Sequence, residues 1–290
     1  MELGIRYRGR VATSEDVALI ERVIRETPGL TRSGLSRRLC ELWNWRQPNG
    51  VLRDMVCRGL LLALERAGQI RLPVARRVLG GWNRCVPRKE VEEDETPIVS
   101  SLAQLQPLDI LQVRRSAQEQ RHDSLLQQYH YLGYTRPVGE HLKFLIYAKG
   151  RIVSCICFSS APRHLGARDR FLGWQPEIRR RNLHLLAYNP RFLILPWVRV
   201  PHLASHILGL MVRRISKEWE AIYSHPLYFL ETFVDVEKYP GTCYRAANWI
   251  YLGQTTGRGK DDLTHRPNRS IKAVWGYPLH RDFRRLLQHG

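Results

Sequence analysis

The sequence predicts an α/β protein (α+β overall) in two parts: an N-terminal winged helix-turn-helix over residues 1–78 and a C-terminal mixed-sheet domain over 102–290, with a linker over 79–101. Three observations carry this. Apolar residues recur at helical spacing through most of the first 67 residues. A run of acidic residues flanked by prolines separates the halves. Beyond it, β-branched and aromatic runs alternate with helical stretches, which is an α/β order.

The N-terminal elements follow in turn. Thr13 and Ser14 offer helix caps, Asp16 favours the first turn, and Val17, Ile20, Val23 and Ile24 form one apolar face. Pro28-Gly29 stops that helix. Thr31 caps a second one with Leu35, Leu39 and Leu42 inside, and Gln47-Pro48-Asn49-Gly50 makes a turn. A third helix spans 51–67, Gly68 ends it, and Ile70-Arg71-Leu72-Pro73 reads as a strand. Helix, helix, turn, helix, strand is the winged-helix order, with Arg53 and Arg58 on the helix that would face a DNA groove. A three-helix protein-interaction domain would have the same core. The acidic run at 90–95, between Pro87 and Pro97, reads as a solvated connection, with shielding of a basic groove as the alternative.

In the second part, a helix is expected over 115–129, a β-hairpin from strands 141–148 and 152–159, and a strand over 191–200. A long helix over 203–219, a strand over 227–234, a short helix over 244–248 and a strand over 249–252 complete the reading. The hairpin makes the sheet mixed.

Charge narrows the function. There are 46 Lys and Arg against 27 Asp and Glu, a net charge of +19, and 43% of residues are hydrophobic. A sizeable core and a polyanionic partner follow, which points to DNA, double- or single-stranded. The prevalence of Arg suits bidentate phosphate and guanine contacts. The termini and apolar runs carry neither a signal segment nor a membrane span, so a cytoplasmic protein without a membrane partner is expected. Cys40, Cys57, Cys85, Cys155, Cys157 and Cys243 show neither zinc nor disulfide-framework spacing and read as reduced, mostly buried thiols.

The sharpest chemical feature is Glu231-Thr232-Phe233-Val234-Asp235. In a strand, Glu231 and Asp235 share a face, and such a pair can hold Mg2+ or Mn2+ for phosphoryl transfer, with Glu140 as a third carboxylate. The plainer reading is that they neutralise arginines. Tyr244 is a candidate nucleophile toward a phosphodiester; packing at a helix start is its plainer role. Arg179, Arg180 and Arg181, together with Arg258 and Lys260 in a glycine-containing loop, are expected to contact phosphates. His130 could serve as a general acid or base, or be structural.

Two resemblances complete the reading. The order of elements in the second part resembles the GNAT acyltransferase fold, which holds the CoA pyrophosphate on a glycine-containing loop at a helix start. The matching segment, Arg199-Val200-Pro201-His202-Leu203-Ala204-Ser205, has no glycine, so acetyl-CoA is not expected. Second, a set of ordered motifs is similar to the Druantia DruA family. They are Tyr129-His130-Tyr131-Leu132-Gly133-Tyr134, Arg191-Phe192-Leu193-Ile194-Leu195-Pro196-Trp197-Val198, Leu203-Ala204-Ser205, Glu231-Thr232-Phe233-Val234-Asp235, Gly241-Thr242-Cys243-Tyr244, Ala247-Asn248-Trp249-Ile250 and Thr255-Thr256-Gly257-Arg258-Gly259. Leu39-Cys40 and Ile70-Arg71-Leu72-Pro73 fit as well. The resemblance implies a prokaryotic setting in antiphage defence or mobile elements, with partner proteins from such systems.

Together these give a DNA-binding protein, self-associating as a homo-oligomer, that cuts or joins strands in the manner of a nuclease or transposase. Two alternatives stand beside it: a non-catalytic DNA-recognition subunit of a defence complex, and an acyltransferase-like enzyme acting on nucleic acid or protein.

Overall fold

Both caps read at Thr13 and Thr31 are present in the computed structural model, which describes residues 2–7, 10–46, 50–74, 91–257 and 270–289. The chain divides into two compact units. The first holds residues 1–85 with 217–226, and the second holds 86–216 with 227–290. The linker expected over 79–101 therefore lies partly within the second unit.

In the first unit, β1 (Glu2–Tyr7) and β2 (Arg10–Thr13) form an antiparallel hairpin ahead of α1 (Ser14–Glu26). Thr13 and Asp16 make a reciprocal capping box at the start of α1. Thr31 caps α2 (Arg32–Leu42) by accepting from the Gly34 backbone. After an eleven-residue connection comes α3 (Asp54–Arg66). Ile20, Leu35, Leu39, Leu60, Leu61 and Leu64 close one core from three helical faces. The strand expected at Ile70–Pro73 is absent. Ile70 and Leu72 are buried as an irregular segment, and the Leu72 N–H is taken by the Glu65 carboxylate at 3.1 Å rather than by a ladder partner.

The second unit opens with β3 (Ile98–Val99), α4 (Leu102–Leu105), β4 (Leu108–Gln112) and α5 (Glu119–Tyr129). The acidic run before β3 is not a free connection. Glu93 is clasped by Arg121, Asp94 pairs with Arg151 at 2.9 Å, and Glu95 accepts from Tyr129. The hairpin β5 (His141–Ala148) and β6 (Arg151–Ser160) follows, then α6 (Gly166–Leu172) and α7 (Pro176–Asn182). Next are β7 (Leu186–Ile194), β8 (Val198–Arg199) and α8 (Leu203–Tyr223). The chain closes with β9 (Phe229–Asp235), α9 (Thr242–Ala246), β10 (Ile250–Gln254), β11 (Lys272–Pro278) and α10 (Phe283–His289).

Seven strands form one mixed sheet in the order β10-β11-β9-β7-β6-β5-β4. Every neighbouring pair is antiparallel except β7 and β9, which run parallel through the crossover helix α8. β3 pairs with β8 in a separate parallel pair. The sheet is buried on both faces along β5 and β6, which is why those strands read as continuous apolar runs. Among the described residues, no helix is long and apolar enough to cross a membrane.

Candidate active site at the divergence of two parallel strands

Asn189-Pro190 lies in the middle of β7, where a proline has no N–H to give a ladder. The register between β6 and β7 shifts there, between Cys157 opposite Arg191 and Ser159 opposite Tyr188. The result is a β-bulge, and the Asn189 side chain fills the gap it leaves. Its Nδ2 donates to the Cys157 carbonyl at 2.7 Å and the Arg191 carbonyl at 3.0 Å. On the other side of β7, the parallel ladder with β9 runs from Leu186–Phe229 to Asn189–Thr232 and stops. β7 continues to Ile194 and β9 to Asp235, and their facing edges part around a cavity of about 410 Å³. Phe192, Ile194, Ala204, Phe233 and Val234 give it an apolar lining.

Three hydrogen-bonding groups meet where the strands part. Tyr244, on α9, donates from Oη to Asn189 Oδ1 at 2.8 Å. Thr232 Oγ1 donates to the Asn189 carbonyl at 2.9 Å. Gly241 caps the start of α9 at φ 73°, where a Cβ would press on the Trp275 indole at 3.1 Å, so the bare backbone seats the helix start close to the sheet. Burial holds the Tyr244 phenol un-ionised, far above the usual tyrosine range. The Cys243 thiol beside it is likewise pushed up by burial. At the mouth, Tyr131 packs against Tyr239 with ring centroids 5.4 Å apart. His130 is lowered to about 4 by burial and by Arg191. Its Nδ1 accepts from the Leu132 N–H at 3.1 Å, so the neutral ring carries its proton on Nε2 and is a donor, not a base.

The predicted site residues are only partly gathered here. Tyr244 and Asp235 line the cavity. Asp235 accepts from the Glu237 N–H at 3.3 Å and from Ser270 Oγ at 3.2 Å. Glu231 does not join it. Its carboxylate is fully buried at 3.2 Å from the equally buried Arg168 guanidinium, which also holds Asp169. Glu231 is pushed up to about 7, since burial outweighs the attraction of Arg168. Glu140 sits at the end of β5, where its backbone pairs with Ser160, away from the cavity lining. Among the described residues no group of three His, Cys, Asp or Glu could hold a metal ion. The Glu231–Asp235 site for Mg2+ or Mn2+ is therefore corrected to a carboxylate neutralised by arginine.

The predicted nucleic-acid contacts are also scattered. Arg53 is spent internally, donating to the Ala221 carbonyl and Ser224, and burial lowers it. Arg58 pairs with Asp54 at 3.1 Å. Arg179 pairs with Asp169 at 2.8 Å and Arg180 with Glu177 at 2.8 Å, while Arg181 is exposed. Arg258 and Lys260 lie outside the described residues. Asn189 and Thr232 escaped the sequence reading. The signal for Asn189 was the Asn-Pro pair inside an apolar run, which marks a bulge as readily as a turn.

The family model described as Druantia protein DruA matches residues 86–281, and the chain belongs to the DruA family. The family region thus begins where the second unit begins and covers most of it. No curated protein matches the chain. Among solved structures, an N-acetyltransferase from Staphylococcus aureus Mu50 is similar at 10% identity over 60% of this chain and 99% of its own, with a TM-score of 0.37. The ribosomal-protein-S18-alanine N-acetyltransferase from Escherichia coli is similar at 9% identity over 60% of this chain and 94% of its own, with a TM-score of 0.36. The Campylobacter jejuni N-acetyltransferase PseH, solved in complex with acetyl coenzyme A, is similar at 7% identity over 48% of this chain and 67% of its own, with a TM-score of 0.28.

Two expectations are corrected. The reading as a nuclease or transposase is withdrawn: Glu231 is consumed by Arg168, no metal-holding group of three appears among the described residues, and the Tyr244 phenol is buried and un-ionised. The expectation against acetyl-CoA is withdrawn as well: it rested on the missing glycine, yet His202 itself adopts φ 65° and makes the turn into α8.

Proposed function

We propose that the second unit is an acyltransferase-like enzyme whose donor is a CoA-type thioester, with its acceptor on a nucleic acid or a protein. The observation that carries this reading is the stop in the β7–β9 ladder around an apolar cavity. Two parting strand edges suit an extended ligand that bears amides, because such a chain can pair with backbone as a strand does. Phe192, Ile194 and Ala204 suit the methylenes between those amides. The phosphate end has a matching feature in the start of α8, a 21-residue helix with its positive dipole end beside the exposed Arg199.

When bound, such a donor supplies an activated acyl carbon. The chain's own groups then position and hold protons. Tyr244 keeps a proton on Oη at the parting of the strands, and Asn189 fixes that hydroxyl's direction. His130 presents a second donor from Nε2.

Isothermal titration calorimetry with acetyl-CoA and with CoA tests the reading. Saturable binding is expected, weakened at least about tenfold by Ala204→Trp, which fills the cleft. No binding of either up to roughly 1 mM by a folded wild-type protein would overturn it.

A further inference from the structure

At the opposite ends of β7 and β9 from the cavity, α6, α7 and α10 pack as one layer over Leu186 and Phe229. The packing is tight. Trp174 Nε1 and Asn182 Nδ2 both donate to the Leu287 carbonyl, at 3.0 and 2.8 Å, and Gln288 donates to the Leu172 carbonyl at 3.0 Å. Six arginines on this layer are exposed: Arg170, Arg180, Arg181, Arg284 and Arg285 on or at the ends of the helices, and Arg281 in the turn before α10. The acids beside them are few. Glu177 pairs with Arg180, Asp282 lies 3.6 Å from Arg281, and Asp169 is taken by Arg168 and Arg179. Arg284 also lies over the Phe171 ring at 4.5 Å and donates from one guanidinium nitrogen to the Phe171 carbonyl, which holds the group in place while leaving the side chain exposed.

From this we infer that the α6/α7/α10 face docks the phosphate backbone of duplex DNA. Six exposed forked cations borne by one packed layer suit the repeated phosphates of a nucleic-acid backbone, which single acidic side chains on a protein would not supply. The other polyanions fit less well. Among the described residues of these three helices no large apolar side chain is exposed, so there is no apolar wedge for a lipid surface and no exposed aromatic ring for unpaired bases. Hydroxyl and amide side chains suited to ribose 2′-OH contacts are also scarce here, since Asn182 is buried and bonded internally. Such a face positions the protein without reading sequence. It is independent of the transfer chemistry proposed above.

The test is fluorescence anisotropy on the full chain with a duplex DNA of about 30 base pairs across a salt series. The variant carries Arg180→Ala, Arg181→Ala, Arg284→Ala and Arg285→Ala, all exposed positions, with its melting temperature checked against wild type. The control removes four exposed arginines of the first unit, Arg22, Arg25, Arg37 and Arg38, and has the same net charge. The face variant is expected to weaken binding at least about tenfold near 150 mM salt and to flatten the log–log salt slope by about 3 to 4, the share of four phosphate contacts. Unchanged affinity, or a loss no greater than in the control, would overturn the proposal. Single-stranded DNA and duplex RNA of equal length are the other arms, and tighter binding of either by wild type would refute the choice of duplex DNA.

Discussion

Tyr244 Oη donates to Asn189 Oδ1 at 2.8 Å, and that bond joins the helix after β9 to the bulge in β7. Asn189 is thereby bonded through both ends of its amide, since its Nδ2 holds the Cys157 and Arg191 carbonyls. Tyr244→Phe leaves a buried amide oxygen without its donor and is expected to cost about 1–3 kcal/mol. Asn189→Ala also opens the bulge and costs more. Urea unfolding of the two single variants and the double variant should give a coupling energy above about 0.5 kcal/mol. Additive losses would mean that the two side chains act independently.

The Glu231–Arg168 pair gives a second prediction. Both side chains are fully buried, so removing one partner strands a charge. Glu231→Ala is expected to lower stability by about 3–5 kcal/mol, whereas a matched apolar pair, Glu231→Leu with Arg168→Met, loses much less. Denaturant titration decides. A small loss in Glu231→Ala would show that Arg168 is already satisfied by Asp169 and the Pro162 carbonyl, its other partners.

A third prediction concerns Gly276 in β11. A Cβ there would run into the Phe229 ring and come within 2.9 Å of Leu252, so the bare backbone is what lets β9's aromatic lie across its neighbour. Gly276→Ala is expected to destabilise by about 1–3 kcal/mol through overpacking, and Phe229→Leu in the same chain should recover part of it. No loss on thermal or chemical unfolding of Gly276→Ala would contradict this close approach.

The same glycine shows why some of the fold was legible and some was not. The strands at β5, β6 and β9 and the helices α1, α2 and α8 announced themselves through periodicity and caps. β11 did not, because Gly276 and Pro278 interrupt its apolar run and look like turn residues. β7 was read as starting at Arg191, although it starts at Leu186, because Asn189-Pro190 resembles a break. At the site, Tyr244 and Asp235 were legible as polar residues near strand and helix ends, and both line the cavity. The partner of Glu231 was not legible: Arg168 lies 63 positions away, and only the packing of α6 on the sheet brings them together. The acidic run around Glu93 misled for a similar reason, since Arg121 and Arg151 are distant in sequence.

The last prediction is a pH dependence with a definite sign. His130 and His141 are each lowered to about 4, mainly by burial, and His122 is lowered by complete burial. A histidine depressed on folding favours the native state fully above its unfolded value near 6.5, and that stability is lost as pH falls toward 4. Glu231, raised to about 7, runs the other way: its contribution is full below an unfolded value near 4.5 and is lost as pH rises through 7. Three histidines outweigh one carboxyl, so the melting temperature is expected to fall on acidification from pH 6.5 to about 4.5. His130→Gln keeps an acceptor for the Leu132 N–H and removes one proton site, so it should flatten that slope. Glu231→Gln should steepen it, because the opposing group is gone. Differential scanning calorimetry across this window checks both variants. A slope in His130→Gln equal to wild type would show that the ring takes up its proton in the folded protein as readily as in the unfolded chain.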